Sequence, residues 1–219
     1  MNIKDIFQSE LFRWFDNNKR SFPWRCTYDP YKVMVSEILL QRTQAQQVID
    51  PYKEILLRYE NIEELSRANE DDILMIIKDL GLHKRANILI NISKEIIKKY
   101  NGIIPRKRED LIRIKGIGNY TANSILCFGY NKAYGLIDTN ISRVYIRIFN
   151  LTVTSKRNHT DKRLWNFAEE MIPKKKFIDY NYALLDFGAL VCKKNKPLCN
   201  KCIFAKTEIC SYFNNVKDY

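Results

Sequence analysis

Four cysteines near the C-terminal end carry the most specific chemical signal in the chain. They follow the spacing Cys-x6-Cys-x2-Cys-x7-Cys and are Cys192, Cys199, Cys202 and Cys210. Thiolates spaced this closely are soft ligands that suit an iron–sulfur cluster or a structural zinc ion. The spacing alone leaves both metals open, with two disulfides as a third alternative. The loop between the first two cysteines carries three lysines, which indicates that this lobe meets a polyanion.

A glycine-containing turn joins two apolar-periodic segments within residues 111–122. Gly116 and Gly118 allow the backbone to turn tightly and to approach a ligand closely. The amides at the start of the following segment, which includes Thr121, then point outward where the partial positive charge of a helix collects. With Lys115 beside it, the turn is predicted to bind phosphate. An ordinary tight turn has the same glycine spacing.

The composition also favours a polyanionic partner. The chain has 219 residues and a net charge of +12 at pH 7, which favours nucleic acid or an anionic membrane surface. No run approaches the ~20 apolar residues of a membrane span, and the N-terminus lacks a signal-peptide core. We therefore expect a cytoplasmic, nucleoid-associated monomer with no membrane partner, in which Cys26 and Cys127 stay reduced.

Apolar residues recur at helical spacing along nearly the whole chain, which predicts an all-α fold. The first helix is expected to stop near Asn17 and Asn18, and Pro30 suits the first turn of the second. Only Leu151–Thr154 is ambiguous between helix and strand. The remaining predicted helical segments are 48–59, 71–79, 84–100, 109–114, 120–130, 139–150, 161–171 and 178–191.

These features together resemble the helix-hairpin-helix (HhH-GPD) superfamily of DNA base-excision glycosylases, which includes endonuclease III and MutY. The resemblance covers nearly the whole chain. Residues 22–25 resemble the N-terminal signature of the adenine branch and the mismatch-specific thymine branch. Residues 36–44 resemble the helix of the catalytic glutamate, and 137–140 the loop of the catalytic aspartate. The turn at 114–121 resembles the DNA-anchoring hairpin.

The resemblance implies a two-lobed helix-hairpin-helix glycosylase fold with a C-terminal iron–sulfur cluster loop. The pattern of helices itself favours two lobes: a continuous central domain at about 28–134, which contains the hairpin, and a second domain that joins 1–27 to 135–219. The four cysteines resemble the family's [4Fe–4S] motif, although the last interval is seven residues where the family usually has five. The implied partner is double-stranded DNA with a mismatched base. The residues that would contact the DNA backbone are Lys115, Gly116, Gly118 and Thr121.

Two carboxylates are the expected catalytic groups. Cleavage of an N-glycosidic bond needs a stabilised oxocarbenium-like sugar, assistance for the departing base and a positioned water, which a carboxylate on each side can supply. Glu37 lies on a partly apolar helix face, where its pKa could be raised enough to donate a proton. Asp138 precedes a helix that it is also expected to cap. Asn140, in the same loop, is a candidate DNA contact.

Tyr120 is the third candidate catalytic residue, and it determines the predicted reaction class. In the lyase branch, typified by endonuclease III, the matching position holds a lysine whose amine attacks the sugar and forms a Schiff base. A phenol cannot form an imine. The sequence therefore predicts a monofunctional glycosylase that leaves an intact abasic site.

The target base is the least determined part of the prediction. Candidates for filling the gap and probing the partner base are Gln41, Arg42, Thr43, Gln44 and Leu82. Arg42 and Leu82 resemble the thymine branch, whereas Gln41 and Gln44 resemble the adenine branch. The chain ends at Tyr219, without the extra domain that adenine enzymes typically use. We therefore expect thymine or uracil opposite guanine, with adenine opposite guanine or 8-oxoguanine as the alternative.

Two other classes are compatible with part of the sequence. An electron-transfer protein would use the cysteines but would leave the hairpin and both carboxylates without a role. A non-catalytic DNA-binding module would use the charge and the hairpin, but it would leave both carboxylates without a role. Base release would exclude both.

Overall fold

The computed structural model describes residues 2–81, 83–155 and 160–217. Helices and loops make up these ranges, which contain no strand, so the predicted all-α class is confirmed. Within them, no helix has both the length and the apolar content to cross a bilayer. The helices are α1 Ile3–Asn18, α2 Pro30–Leu40, α3 Ala45–Arg58, α4 Ile62–Ser66, α5 Glu70–Ile77, α6 Lys84–Tyr100, α7 Arg108–Arg113, α8 Asn119–Ser124, α9 Thr139–Phe149, α10 Lys162–Met171, α11 Phe177–Leu190, α12 Ile203–Lys206 and α13 Ser211–Lys217.

Side-chain caps fix where many of these helices begin. An Asn or Asp at the N-cap accepts a hydrogen bond from an amide that has no partner within the helix. The first turns of α2 and α9, the helices beside the two predicted catalytic carboxylates, are held in this way. The capping residues are Asn2, Asp29, Asn61, Asn69, Asp138 and Asp161.

The chain forms two compact units, Ser21–Lys132 and Met1–Arg20 with Ala133–Tyr219. The sequence pattern placed the first junction near residue 27, seven residues later than in the structure. The segment that differs packs with the central unit through Trp24, on which Phe22 stacks at a centroid distance of 5.0 Å. Trp24 in turn meets the edge of Tyr52 at 5.5 Å.

Helix α2 is the buried centre of the Ser21–Lys132 unit. Every residue from Val33 to Leu39 is buried, and α2 contacts α3, α6 and α8. The predicted helix over 120–130 is α-helical only to Ser124 and continues as a wider π-helical turn over Ile125–Gly129. Gly129 lies against the start of α2, since a Cβ there would be 2.6 Å from the Cα of Pro30.

Aromatic side chains build the core of the other unit around α1, α9 and α11. Phe7 stacks on Phe204 at 4.7 Å, and Trp14 meets the edge of Phe187 at 5.2 Å. Helix α11 approaches the start of α9 closely at Gly188, where a Cβ would lie 2.8 Å from the Cβ of Asn140. This packing fixes the first turn of α9, where the predicted catalytic aspartate lies.

Three short helices, α4, α12 and α13, were not predicted from the sequence. They span five, four and seven residues, so each offers at most two turns in which an apolar period can appear. The ambiguous segment Leu151–Thr154 is neither helix nor strand.

Candidate active site

Glu37 lies in the second half of α2, inside the core of its unit. Its exposed fraction is only 7%, although Glu is seldom buried this deeply. Its chain neighbours Ser36 and Ile38 are also buried. A carboxyl group held here is shielded from bulk water, which is the setting the sequence predicted for a proton-transfer residue.

Asp138 is the N-cap of α9, as its position in the sequence predicted. Its Oδ1 accepts hydrogen bonds from the amides of Asn140 at 2.9 Å and Ile141 at 2.7 Å. Its Oδ2 accepts one from Asn140 Nδ2 at 3.1 Å. Burial raises the pKa of Asp138 above its ordinary value, against the opposing effect of these hydrogen bonds and of Arg143. The carboxylate is thus fixed in orientation and incompletely stabilised as an anion.

Asn140 connects this carboxylate to the cysteine loop. Arg143 donates from Nη2 to Asn140 Oδ1 at 2.9 Å and to the Gly188 carbonyl at 2.7 Å. Its Nε donates to the carbonyl of Cys192 at 2.7 Å. The side chain of Asn140, which the sequence put forward as a DNA contact, is therefore engaged by Asp138 and Arg143.

The four predicted metal ligands surround one cavity. Cys192, Cys199, Cys202 and Cys210 all line it, together with Arg147. The Nη1 of Arg147 is 3.6 Å from Cys192 Sγ and donates to the Lys193 carbonyl at 2.7 Å. All six cysteines of the chain are free thiols. The disulfide alternative is therefore not realised in this structure.

Three of the four thiols that line the cavity are poor anions. Burial raises the pKa of Cys202 to about 11, and it also raises the pKa of Cys199 and of Cys210. They are therefore neutral at pH 7 unless a metal replaces their protons. In the described ranges, no three Cys, His, Asp or Glu side chains are arranged to hold a single metal ion.

The predicted hairpin joins α7 to α8 and rests on α6. Gly116 has a φ of +107°, and a Cβ there would be 3.0 Å from Ile88 and 3.2 Å from Ile92. The amide of Lys115 donates to Glu95 Oε2 at 3.3 Å. Both the positive φ and the contact with α6 require glycine at 116.

Arg108 braces the other side of the hairpin. It donates to Asn123 Oδ1 at 2.9 Å and to Asn119 Oδ1 at 3.0 Å, which ties α7 to α8. Tyr120 lies in the first turn of α8 and is half-buried, whereas Thr121 is buried. Thr121 therefore offers a ligand little of its side chain.

Gly116→Ala is expected to destabilise the fold and to weaken DNA binding, because alanine at φ +107° is strained and its Cβ crowds Ile88. Gly118 is the matched control, since a Cβ there has nothing within 4 Å. Gly118→Ala should therefore keep the wild-type melting temperature, so that any loss of affinity reports on close approach by DNA. Thermal unfolding and a DNA-binding titration measure both effects. Equal melting temperatures for the two variants would contradict this account.

The predicted probing turn follows α2. Gln41, Arg42 and Gln44 are exposed and Thr43 is half-buried. Arg42 adopts a left-handed backbone with φ +57°, which is uncommon for a residue other than glycine. Leu82, the other predicted probing residue, lies outside the residues that the structure describes.

Comparison with known proteins decides the family. Residues 35–170 match the HhH-GPD superfamily base excision DNA repair protein family. This chain belongs to the HhH-GPD superfamily. The predicted family is thus confirmed, and both predicted catalytic carboxylates and the hairpin lie inside the matched segment.

Individual relatives show which HhH-GPD proteins this chain is similar to. It is 34% identical to the thymine/uracil-DNA glycosylase of Methanothermobacter thermautotrophicus, across 96% of this chain and 94% of the relative. It is 36% identical to the adenine DNA glycosylase of Buchnera aphidicola subsp. Baizongia pistaciae, across 96% of this chain and 59% of the relative. A thermostable thymine-DNA glycosylase structure superposes with a TM-score of 0.90 and 33% identity, covering 97% of both chains.

Three arginines of this HhH-GPD protein were not singled out by the sequence analysis. Arg143 and Arg147 lie one turn apart on α9, and both donate to backbone carbonyls of the cysteine loop. Their i, i+4 spacing, which follows the predicted catalytic aspartate directly, could have indicated that both arginines lie on one face of the same helix. Arg85 gave no such signal, because the run Lys84-Arg85 resembles an exposed basic turn.

Proposed function

We propose that this protein is a monofunctional DNA glycosylase of base excision repair that removes thymine or uracil mispaired with guanine and leaves an abasic site. The observation that carries the proposal is the similarity to thymine/uracil-DNA glycosylases along nearly the full length of both chains. The high structural similarity to a thymine-DNA glycosylase supports it further. Adenine removal is the weaker candidate, favoured by the comparable identity to an adenine DNA glycosylase over 59% of that protein's length.

The two carboxylates divide the chemistry. As the C1′–N bond breaks, positive charge develops on the sugar, and the ionised Asp138 side chain stabilises it. Its Oδ1 is already held by two amides of α9, so little reorganisation is needed. Glu37 donates a proton to the departing base and then accepts a proton from the attacking water. Its burial favours this role, because few competing waters reach it.

Two surfaces of the Ser21–Lys132 unit bind the DNA. The amides of Gly116 and Gly118, with the exposed Lys115, contact the phosphate backbone. The turn at 41–44 and Leu82 probe the base pair from which the target is flipped. Mismatch selection therefore depends on the conformation of that turn.

The cysteine loop holds a [4Fe–4S] cluster. Cys192, Cys199, Cys202 and Cys210 fit this group because all four thiols line one cavity, and four thiolates are the ligand set of such clusters. When bound, the cluster supplies metal–thiolate bonds that fasten the loop. Arg143 and Arg147 contribute separately, because they fix the backbone of the same loop on α9.

The test is single-turnover base release from matched duplexes that carry G·T, G·U, A·G or A·8-oxoguanine, with and without alkali. Alkali-dependent breaks at thymine or uracil opposite guanine would support the proposal. Breaks at adenine alone would transfer the protein to the adenine branch. Release of none of these bases would contradict the proposed function.

Tyr120→Lys is expected to introduce lyase chemistry that the wild type lacks. A lysine amine at the start of α8 can attack the sugar and form a Schiff base, whereas a phenol cannot. Borohydride should therefore trap a covalent complex with DNA for Tyr120→Lys and not for the wild type. Tyr120→Phe is the control and should show no trapping. A trapped complex with wild-type protein would overturn the monofunctional assignment.

A further inference from the structure

Arg85 is a buried arginine at the start of α6. Its exposed fraction is 2%, so it cannot act as a surface phosphate contact. It makes no ion pair in the described part of the chain, and its hydrogen bonds go to neutral oxygens. Desolvation lowers the pKa of Arg85. Burying a cation without a counter-charge is costly, which makes its location informative.

The Arg85 guanidinium joins three segments. Its Nη1 donates to the Leu39 carbonyl at 2.5 Å. Its Nη2 donates to Thr43 Oγ1 at 2.6 Å and to the Leu80 carbonyl at 3.2 Å. Leu39 belongs to the last turn of α2, whose carbonyls lack partners within the helix. The same side chain therefore caps the last turn of the helix that carries Glu37 and anchors the probing turn. It also binds the backbone of Leu80.

The probing turn depends on such an anchor. Arg42 holds the left-handed conformation at φ +57°, which persists only where the surrounding structure over-determines it. The amide of Thr43 donates to the Leu40 carbonyl at 3.2 Å, and its hydroxyl accepts the bond from Arg85. The bond from Arg85 to the Thr43 hydroxyl ties the turn to α6.

We propose that Arg85 is a positioning residue for mismatch discrimination. It holds the 41–44 turn in one fixed arrangement relative to the end of α2 and to the backbone of Leu80, so that this turn reads the base pair with a constant geometry. This inference rests on the proposed function. Arg85 contacts neither DNA nor the reacting atoms, and it acts through Thr43 and the backbone. An arginine is needed because a planar fork reaches three acceptors at once, whereas a lysine ammonium is a compact point charge.

The test compares single-turnover rates on G·U and A·U duplexes, well below the melting temperature of each variant. Arg85→Lys keeps the charge and loses the fork. It is expected to lower the G·U rate by about 10- to 100-fold and to change the A·U rate much less, so that the ratio collapses. Arg67→Lys, at an exposed arginine of the same unit, should leave the ratio unchanged.

A second measurement separates positioning from a loss of folded protein. Thr43→Val removes the acceptor hydroxyl and should reduce the G·U to A·U ratio in the same direction. The double variant should be no worse than Arg85→Lys alone, because both changes break one interaction. A proportional fall of both rates, or additive effects in the double variant, would overturn the inference. If the wild-type protein is inactive on G·U, the proposed function is refuted instead. The rates of adenine release from A·G and A·C duplexes would then test the discrimination.

Discussion

Asp138→Asn is expected to reduce single-turnover base release by about 10²–10⁴-fold, while the affinity for substrate DNA stays the same. Asparagine can still accept the amide hydrogen bonds of Asn140 and Ile141 that cap α9. It has no negative charge with which to stabilise the developing cation. The rate with saturating enzyme measures the chemical step, and a binding titration serves as the control. A variant that retains more than half the wild-type rate would remove Asp138 from the mechanism.

The same variant should be more stable than the wild type at neutral pH. The folded-state pKa of Asp138 is raised by burial, so its ionised form opposes folding above that pKa. The advantage of Asp138→Asn should therefore shrink as the pH falls towards the ordinary aspartate value of ~3.9. Each kcal/mol gained would raise the melting temperature by about 2–4 °C. Melting curves between pH 4 and 8 measure this dependence.

Asp161 provides a control with the opposite sign. It also caps a helix, α10, but hydrogen bonds from Thr154 and Arg163 lower its pKa. Its ionised form therefore favours folding above the unfolded-state pKa, and this contribution fades as the pH falls through the folded-state pKa. Asp161→Asn should lower the melting temperature at neutral pH, with a smaller loss in acid. Stability changes of the same sign in both variants would contradict the two assignments.

On the proposed cluster assignment, Cys202→Ala is expected to remove the iron and to destabilise the unit that contains Asp138. Structural zinc in zinc-finger peptides supplies about 10–16 kcal/mol of apparent free energy, which is as large as the stability of a typical domain, about 5–15 kcal/mol. The loss should appear as absent iron and sulfide and as a melting temperature lower by at least about 10 °C. Activity should fall with it, since Arg143 ties the Cys192 carbonyl to Asn140, a partner of Asp138.

Cys26→Ala is the matched control, because Cys26 is an exposed free thiol. It should keep the metal content, the stability and the activity of the wild type. Zinc in place of iron in the purified wild type would restore the alternative that the cysteine spacing alone left open. Full stability of Cys202→Ala would show that the loop needs no metal.

Local patterns were sufficient to predict the long helices and the helix end at which the predicted catalytic aspartate lies. Helix α6 begins at Lys84 and ends at Tyr100, as its apolar period indicated. Asp138 caps α9 because a short carboxylate side chain before an apolar-periodic segment satisfies free amides wherever that segment lies. Such features depend on neighbours in sequence, so a sequence contains the information directly.

Features that depend on distant partners could not be predicted in the same way. Arg85 is buried because Leu39 and Thr43, more than forty residues earlier, present oxygens to it. The π-helical turn after Ser124 packs on α2, and Gly129 meets Pro30 there. Neither the composition around these residues nor their spacing differs from that of an exposed basic turn or an ordinary helix.

The discontinuous unit has a consequence for synthesis on the ribosome. Phe7 is made first, and its stacking partner Phe204 follows about two hundred residues later. At usual elongation rates of about 5–20 residues per second, this interval lasts roughly 10 to 40 s. Until α9 and α11 are made, the apolar face of α1 on the nascent chain lacks its native partners Tyr145, Phe149 and Tyr180, whereas Ser21–Lys132 is already complete. The emerging chain therefore offers chaperones a binding segment in α1.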